Sequence, residues 1–73
     1  MTAIFKTAEQ VWAEGSTRYW FDVDGREIGV VESGADVTYI DDEGYPITGG
    51  LYLIDAQREC IVTDELRQRV AGL

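Results

Sequence analysis

The 73-residue chain contains no histidine, one cysteine, one proline and one methionine. A lone Cys60 excludes an internal disulfide. The missing histidine removes the common zinc ligand sets and the most frequent general base at neutral pH. No stretch approaches the roughly 20 apolar residues of a membrane-spanning helix. The opening MTAIFKTAEQVW lacks the basic segment and long apolar core of a secretory leader, so a cytoplasmic protein is expected. Neither a phosphate loop nor a dinucleotide fingerprint is present, so no cofactor is expected. Bases are scarce too: six stand against fourteen acids, for a net charge of −8. Phosphate backbones recruit Lys and Arg, so this balance argues against direct contact with nucleic acid.

What is present is a globular composition, 45% hydrophobic and 11% aromatic. Residues 1–73 are read as one small domain. A chain of this size buries only about 60% of its unfolded surface, which leaves it marginal without a staple, a second copy or a partner.

The clearest pattern runs from Thr17 to Asp24. Tyr19, Phe21 and Val23 alternate with Arg18, Trp20, Asp22 and Asp24, the period of a half-buried strand. Asp24-Gly25 is the favoured pair for a two-residue type I′ turn. Turning there sets Val23 opposite Arg26, Phe21 opposite Ile28 and Tyr19 opposite Val30, with the apolar residues sharing one face. It also sets Asp22 opposite Glu27, a like-charge pair, and Trp20 opposite Gly29. Ser33-Gly34 marks a second turn, after which Val37 and Tyr39 continue the apolar face.

On the N-terminal side, Thr7-Ala-Glu-Gln10 fits a capping box, with Ala8, Val11 and Trp12 on one helical face and Gly15 as a stop. Ile4 and Phe5 either extend this helix or precede it as an extended segment. Asp41 to Pro46 reads as a loop. Leu51 to Val62 suggests a second hairpin turning at Asp55 to Arg58. Thr63 is a good N-cap for a short helix in which Leu66 and Val70 form the buried stripe and Gly72 ends the element. The expected fold is α+β: an N-terminal helix, an antiparallel sheet of four to five strands built from hairpins, and a short C-terminal helix.

Asp22-Val-Asp24-Gly25 with Glu32 downstream invites comparison with a calcium loop. With Gly25 at position 6 of that loop, Asp22 and Asp24 fall on ligand positions 3 and 5. Positions 1 and 12 become Trp20 and Val31, which cannot ligate, and Glu32 comes one residue late. The EF-hand reading fails, and no metal is expected. Catalysis has little support either: Ser16 and Ser33 lack an activating partner, and Cys60 alternates with apolar neighbours as a packed thiol would.

The remaining feature is the distribution of charge. Asp22, Asp24, Glu27, Glu32, Asp36, Asp41, Asp42 and Glu43 are opposed within their span only by Arg26. One explanation is a solvated face that keeps a small protein soluble. The other is a surface for a basic partner. Carboxylates two residues apart on one strand face are about 6.7 Å from each other. Two base steps along a DNA strand span about 6.8 Å. Trp20 and Tyr45 fall beside these acids. Trp20 either packs on Gly29 or stands exposed as a binding anchor, as Tyr45 would in its loop.

Gln10-Val-Trp12, Ser16-Thr-Arg-Tyr19, Phe21-Asp22, Ser33-Gly34 and Tyr39 followed by Asp41 resemble small acidic phage-encoded anti-CRISPR proteins, the DNA-mimic inhibitors of type I Cascade complexes. The resemblance covers residues 8 to 45. The C-terminal part departs from it, with no long acidic helical tail. The resemblance implies a non-catalytic inhibitor that occupies the basic DNA-binding surface of a Cas complex subunit and blocks target binding. The alternative is a small protein-interaction module or homodimer that uses an apolar patch around Trp12, Trp20 or Tyr52, with the acids serving solubility.

Overall fold

A computed structural model describes residues 3–72. Its sheet is a four-stranded antiparallel meander in the order β1 (Ala3–Val11), β2 (Ser16–Val23), β3 (Arg26–Ser33) and β4 (Asp36–Ile40). Two helices follow, α1 (Gly50–Glu59) and α2 (Asp64–Ala71). The α+β class therefore holds, with both helices after the sheet.

The central hairpin forms as its turn chemistry dictates. Asp24 and Gly25 both have positive φ, 52° and 81°, as a type I′ turn requires. Val23 pairs with Arg26, Asp22 with Glu27, Phe21 with Ile28, Trp20 with Gly29 and Tyr19 with Val30. Gly34, also at positive φ, makes the next turn, and β4 returns with Tyr39 opposite Val30 and Ile40 opposite Gly29.

The expected N-terminal helix is a strand. Residues 3–11 pair with β2, and the register slips by one residue between Phe5 and Thr7. That bulge puts Phe5 and Ala8 on the same face three residues apart, a spacing that imitates a helix. Only Trp12–Glu14 are helical, as one 3₁₀ turn, and Gly15 closes it in the left-handed conformation.

The expected second hairpin at Leu51 to Val62 is also corrected. Residues 50–59 form α1. Its inward positions Tyr52 and Ala56 are four residues apart, and Cys60 just beyond its end continues that row into the core. Leu51 and Ile54 point outward and are exposed. A stripe of one aromatic and small residues carries little hydrophobic signal, while Leu51 and Leu53 suggested alternation. The C-terminal helix matches expectation: the Thr63 hydroxyl accepts the Leu66 amide at 3.1 Å, and Leu66 and Val70 are buried.

The core lies between one face of the sheet and the two helices. Tyr19, Phe21, Val23, Ile28 and Val30 meet Ala56, Cys60, Leu66 and Val70. The Phe5 ring packs edge-on against Phe21 at 5.7 Å. On the opposite sheet face Trp20 and Ile40 close over Gly29, so that Ile40 is only 5% exposed. Among the described residues no helix is long and apolar enough to cross a membrane.

Candidate functional site

Antiparallel pairing decides where the acidic span goes. The β2–β3 turn and the segment after β4 lie at the same end of the sheet, because Ile40 pairs with Gly29 and the chain then runs past Glu27. Asp22, Asp24, Glu27, Asp41, Asp42 and Glu43 therefore gather at this end. Glu32 and Asp36 sit at the other end, opposite Val37 and Ser33. The acidic span is not one continuous row.

Within the acidic end the carboxylates have separate tasks. Asp22 accepts the Gly25 amide at 2.9 Å and so ties the hairpin turn. Asp41 accepts the amides of Glu43 and Tyr45, both at 2.9 Å, and shapes its loop as Asp commonly does in turns. Glu27 meets the Lys6 ammonium at 3.2 Å. The like-charge juxtaposition of Asp22 and Glu27 is real, and each carboxylate has its own local partner to relieve it. Asp24, Asp42 and Glu43 are exposed and, among the described residues, form no ion pair. Gly25, Arg26, Glu27, Asp42 and Tyr52 line an open cleft of about 370 Å³ between the hairpin turn, the loop after β4 and α1. The Arg26 guanidinium stacks over the Tyr52 ring at 4.6 Å, forming the basic wall of that cleft.

The two aromatic candidates part company. Trp20 is half-buried and lies against Gly29, where an added Cβ would come within 2.8 Å of the indole. Tyr45 is 66% exposed on the acidic loop. Of the residues weighed as apolar contacts, Trp12 is 81% exposed and Tyr52 is half-buried beneath Arg26.

Glu32 belongs to a different constellation. Both its oxygens accept from the Arg67 guanidinium, the shortest contact being 2.8 Å, and Arg67 also pairs with Asp64 at 2.6 Å. This fork fastens α2 to β3. Its hydrogen bonds to the Glu32 carboxylate hold the Arg67 pKa above the ordinary arginine value. Burial first, and the nearby Glu32 carboxylate second, raise the Tyr19 phenol above 10.0. The Tyr39 phenol is raised as well, chiefly by burial.

Cys60 is buried at 2% exposure. Burial, then the charge of Glu59, push its thiol from 9.0 up to about 11. A thiol held protonated in an apolar setting is a packing group, not a nucleophile. Among the described residues, no three His, Cys, Asp or Glu side chains are grouped to hold a metal ion.

Lys6 and Arg67 had no expected place in the charge pattern and Arg26 entered it only as the lone base of the acidic span, yet each sets the charge of its neighbourhood. The Asp24-Gly25 turn sets Arg26 opposite Val23, as the alternation implies, and its guanidinium stacks on Tyr52. The Lys6–Glu27 and Arg67–Glu32 pairs span 21 and 35 residues, and no local pattern encodes them. No family model matches the chain, and neither a curated protein nor a solved structure matches it.

Proposed function

We propose that the acidic end of the sheet docks on a basic nucleic-acid-binding surface of another protein, in place of the nucleic acid. In this reading the protein is a non-catalytic inhibitor of the anti-CRISPR kind, acting on a Cas surveillance complex. The observation that carries it is the gathering of six carboxylates, distant in sequence, at one end of the sheet, three of them exposed and without ion partners among the described residues. A solubilising charge set has no need of such concentration. Asp24, Asp42 and Glu43 make the contacts, Glu27 lies behind them, and Asp22 and Asp41 hold the two loops in shape. Exposed Tyr45 adds an aromatic contact at the rim. Glu32 and Asp36 fall outside this footprint.

The test uses D24N/D42K/E43K. Asn tolerates the positive φ of position 24, so the hairpin keeps its turn. The variant should fold like the parent by circular dichroism and lose inhibition of target-DNA binding by a purified type I Cascade complex. Inhibition by the parent should also weaken steeply as salt is raised. Undiminished inhibition by the folded variant would remove the mimicry mechanism.

The alternative, an interaction module working through apolar contact, draws on different residues. Trp12 and Ile4 are 81% and 64% exposed. Trp12 stands just past β1 at the end of the sheet away from the β2–β3 turn, whereas Ile4 pairs with Asp22 close to that turn.

A further inference from the structure

β1 is an edge strand. It is the longest strand of the sheet, nine residues, and among the described residues nothing pairs with its outer side. Such an edge is a template for another strand, and proteins usually blunt it with charge or proline. Here there is no proline, and the only charged residues are Lys6 and Glu9. Beside the edge, Phe5, Lys6, Thr7 and Ala8 with Arg69 and Val70 of α2 line a cavity of about 220 Å³.

The bulge gives this edge an unusual symmetry. Before it, Ala3 and Phe5 face the core and Ile4 faces away. After it, Ala8 faces the core while Thr7 and Glu9 lie opposite Trp20 and Arg18 on the other face. The one-residue slip inverts the alternation, so the pattern of faces reads the same in both directions from a point between Lys6 and Thr7.

We infer that β1 pairs antiparallel with β1 of a second copy of this chain, about a two-fold axis between Lys6 and Thr7. In that register Phe5 lies opposite the partner's Ala8 and Ile4 opposite the partner's Glu9. Every residue meets one on its own face, as cross-strand packing demands. The ring of Phe5 against a methyl group is a large-to-small fit, made twice, next to the cavity by Val70. Lys6 stands diagonal to the partner's Glu9, within reach of a long side chain, so the two charges of the edge are complementary under the same axis. Pairing without the bulge would lose this agreement of faces.

Electrostatics selects the same orientation. Ile4 pairs with Asp22, so the acidic end of the sheet lies at the Ala3 end of β1. Antiparallel pairing puts the Ala3 end of one copy beside the Gln10 end of the other. The two acidic ends are then more than about 20 Å apart along the strand direction, well beyond the roughly 8 Å screening length at physiological salt. A parallel pairing would set them side by side. The product is a continuous eight-stranded sheet with its two acidic poles at diagonally opposite corners.

The test needs no partner protein, so it stands or falls independently of the function proposed above. Sedimentation velocity of the full chain over a concentration series should show a monomer–dimer equilibrium. Ile4→Cys combined with Glu9→Cys places thiols opposite each other across the inferred pair. Within one chain these positions are about 16 Å apart along the strand, too far to bridge. Mild oxidation should yield a covalent dimer on a non-reducing gel. Ile4→Cys combined with Val11→Cys, two residues out of register, should yield little. Buried Cys60 does not compete. A chain that stays monomeric at every concentration overturns the inference. A dimer that crosslinks equally well in both variants overturns it as well.

Discussion

Gly29 lies directly beneath Trp20 and Ile40: a Cβ built on it would come 2.8 Å from the indole and 2.6 Å from Ile40 Cγ1. Three neighbouring strands supply these three residues, so a missing side chain on β3 lets two large ones from β2 and β4 meet over bare backbone. Gly29→Ala forces at least one of them off its position. Overpacking of this kind costs about 1–3 kcal/mol. Urea unfolding followed by tryptophan fluorescence should show the loss, and a change in native emission should report the displaced Trp20.

The β2–β3 turn gives a second, independent measurement. Gly25 sits at φ 81° with open space where a Cβ would go, so strain rather than collision opposes a side chain there. Gly25→Ala should cost about 1–2 kcal/mol. Asp24→Asn at φ 52° should leave stability close to the parent, since Asn accepts this conformation readily. Equal losses in the two variants would contradict the type I′ geometry.

Removing the cap of α2 should weaken the whole fold, because Leu66 and Val70 belong to the shared core. Thr63→Ala leaves the Leu66 amide without its side-chain acceptor. The expected loss is about 1 kcal/mol. Thr63→Ser, which retains the hydroxyl, should recover most of it in the same denaturation experiment.

The Glu32–Arg67 fork predicts non-additivity. Glu32→Gln and Arg67→Gln should each destabilise the protein, and the double variant should lose less than the two single losses together. The coupling should diminish at high salt, since Arg67 is 44% exposed while Glu32 is 15% exposed. Full additivity at low salt would show that the contact contributes nothing to docking α2 on the sheet.

Alkaline pH should expose the burial of Cys60. The unfolded thiol ionises near 9.0 and the folded one near 11, so between these values the unfolded state holds fewer protons. The contribution of this group to stability is therefore complete below about pH 9 and is lost as pH rises toward 11. The raised phenols of Tyr19 and Tyr39 steepen the fall above pH 10.0. Cys60→Ala should flatten the first part of this decline in urea titrations. In the folded parent a thiol reagent should react slowly, at a rate that follows unfolding.

The parts of the fold legible in the sequence are those encoded locally. Asp24-Gly25 fixes a turn, alternation fixes the faces, and the pairing of Tyr19 with Val30 through Val23 with Arg26 follows. Thr63 and Leu66 are likewise neighbours in sequence. β1 was illegible because Thr7-Ala-Glu-Gln10 imitates a capping box and Ala8, Val11 and Trp12 stand at helical spacing, while the pairing that makes it a strand comes from β2. α1 was illegible because Tyr52, Ala56 and Cys60 form a weak stripe beside a misleading Leu51 and Leu53. The acidic residues were legible as a set, but not their division between two ends of the sheet. That division depends on the return of β4 along β3, which a linear count of charge does not contain.

The meander is complete by Ile40, and the helices that cover it are encoded afterwards. During synthesis each strand can therefore pair with the one just made, with little loop to close. The sheet leaves the ribosome with Tyr19, Phe21, Val23, Ile28 and Val30 facing water until Ala56, Leu66 and Val70 emerge. Through that interval the nascent chain is adhesive. Slow translation or premature termination between Asp41 and Thr63 would release a half-dressed sheet, and the cell's chaperones and proteases would meet the protein in that form first.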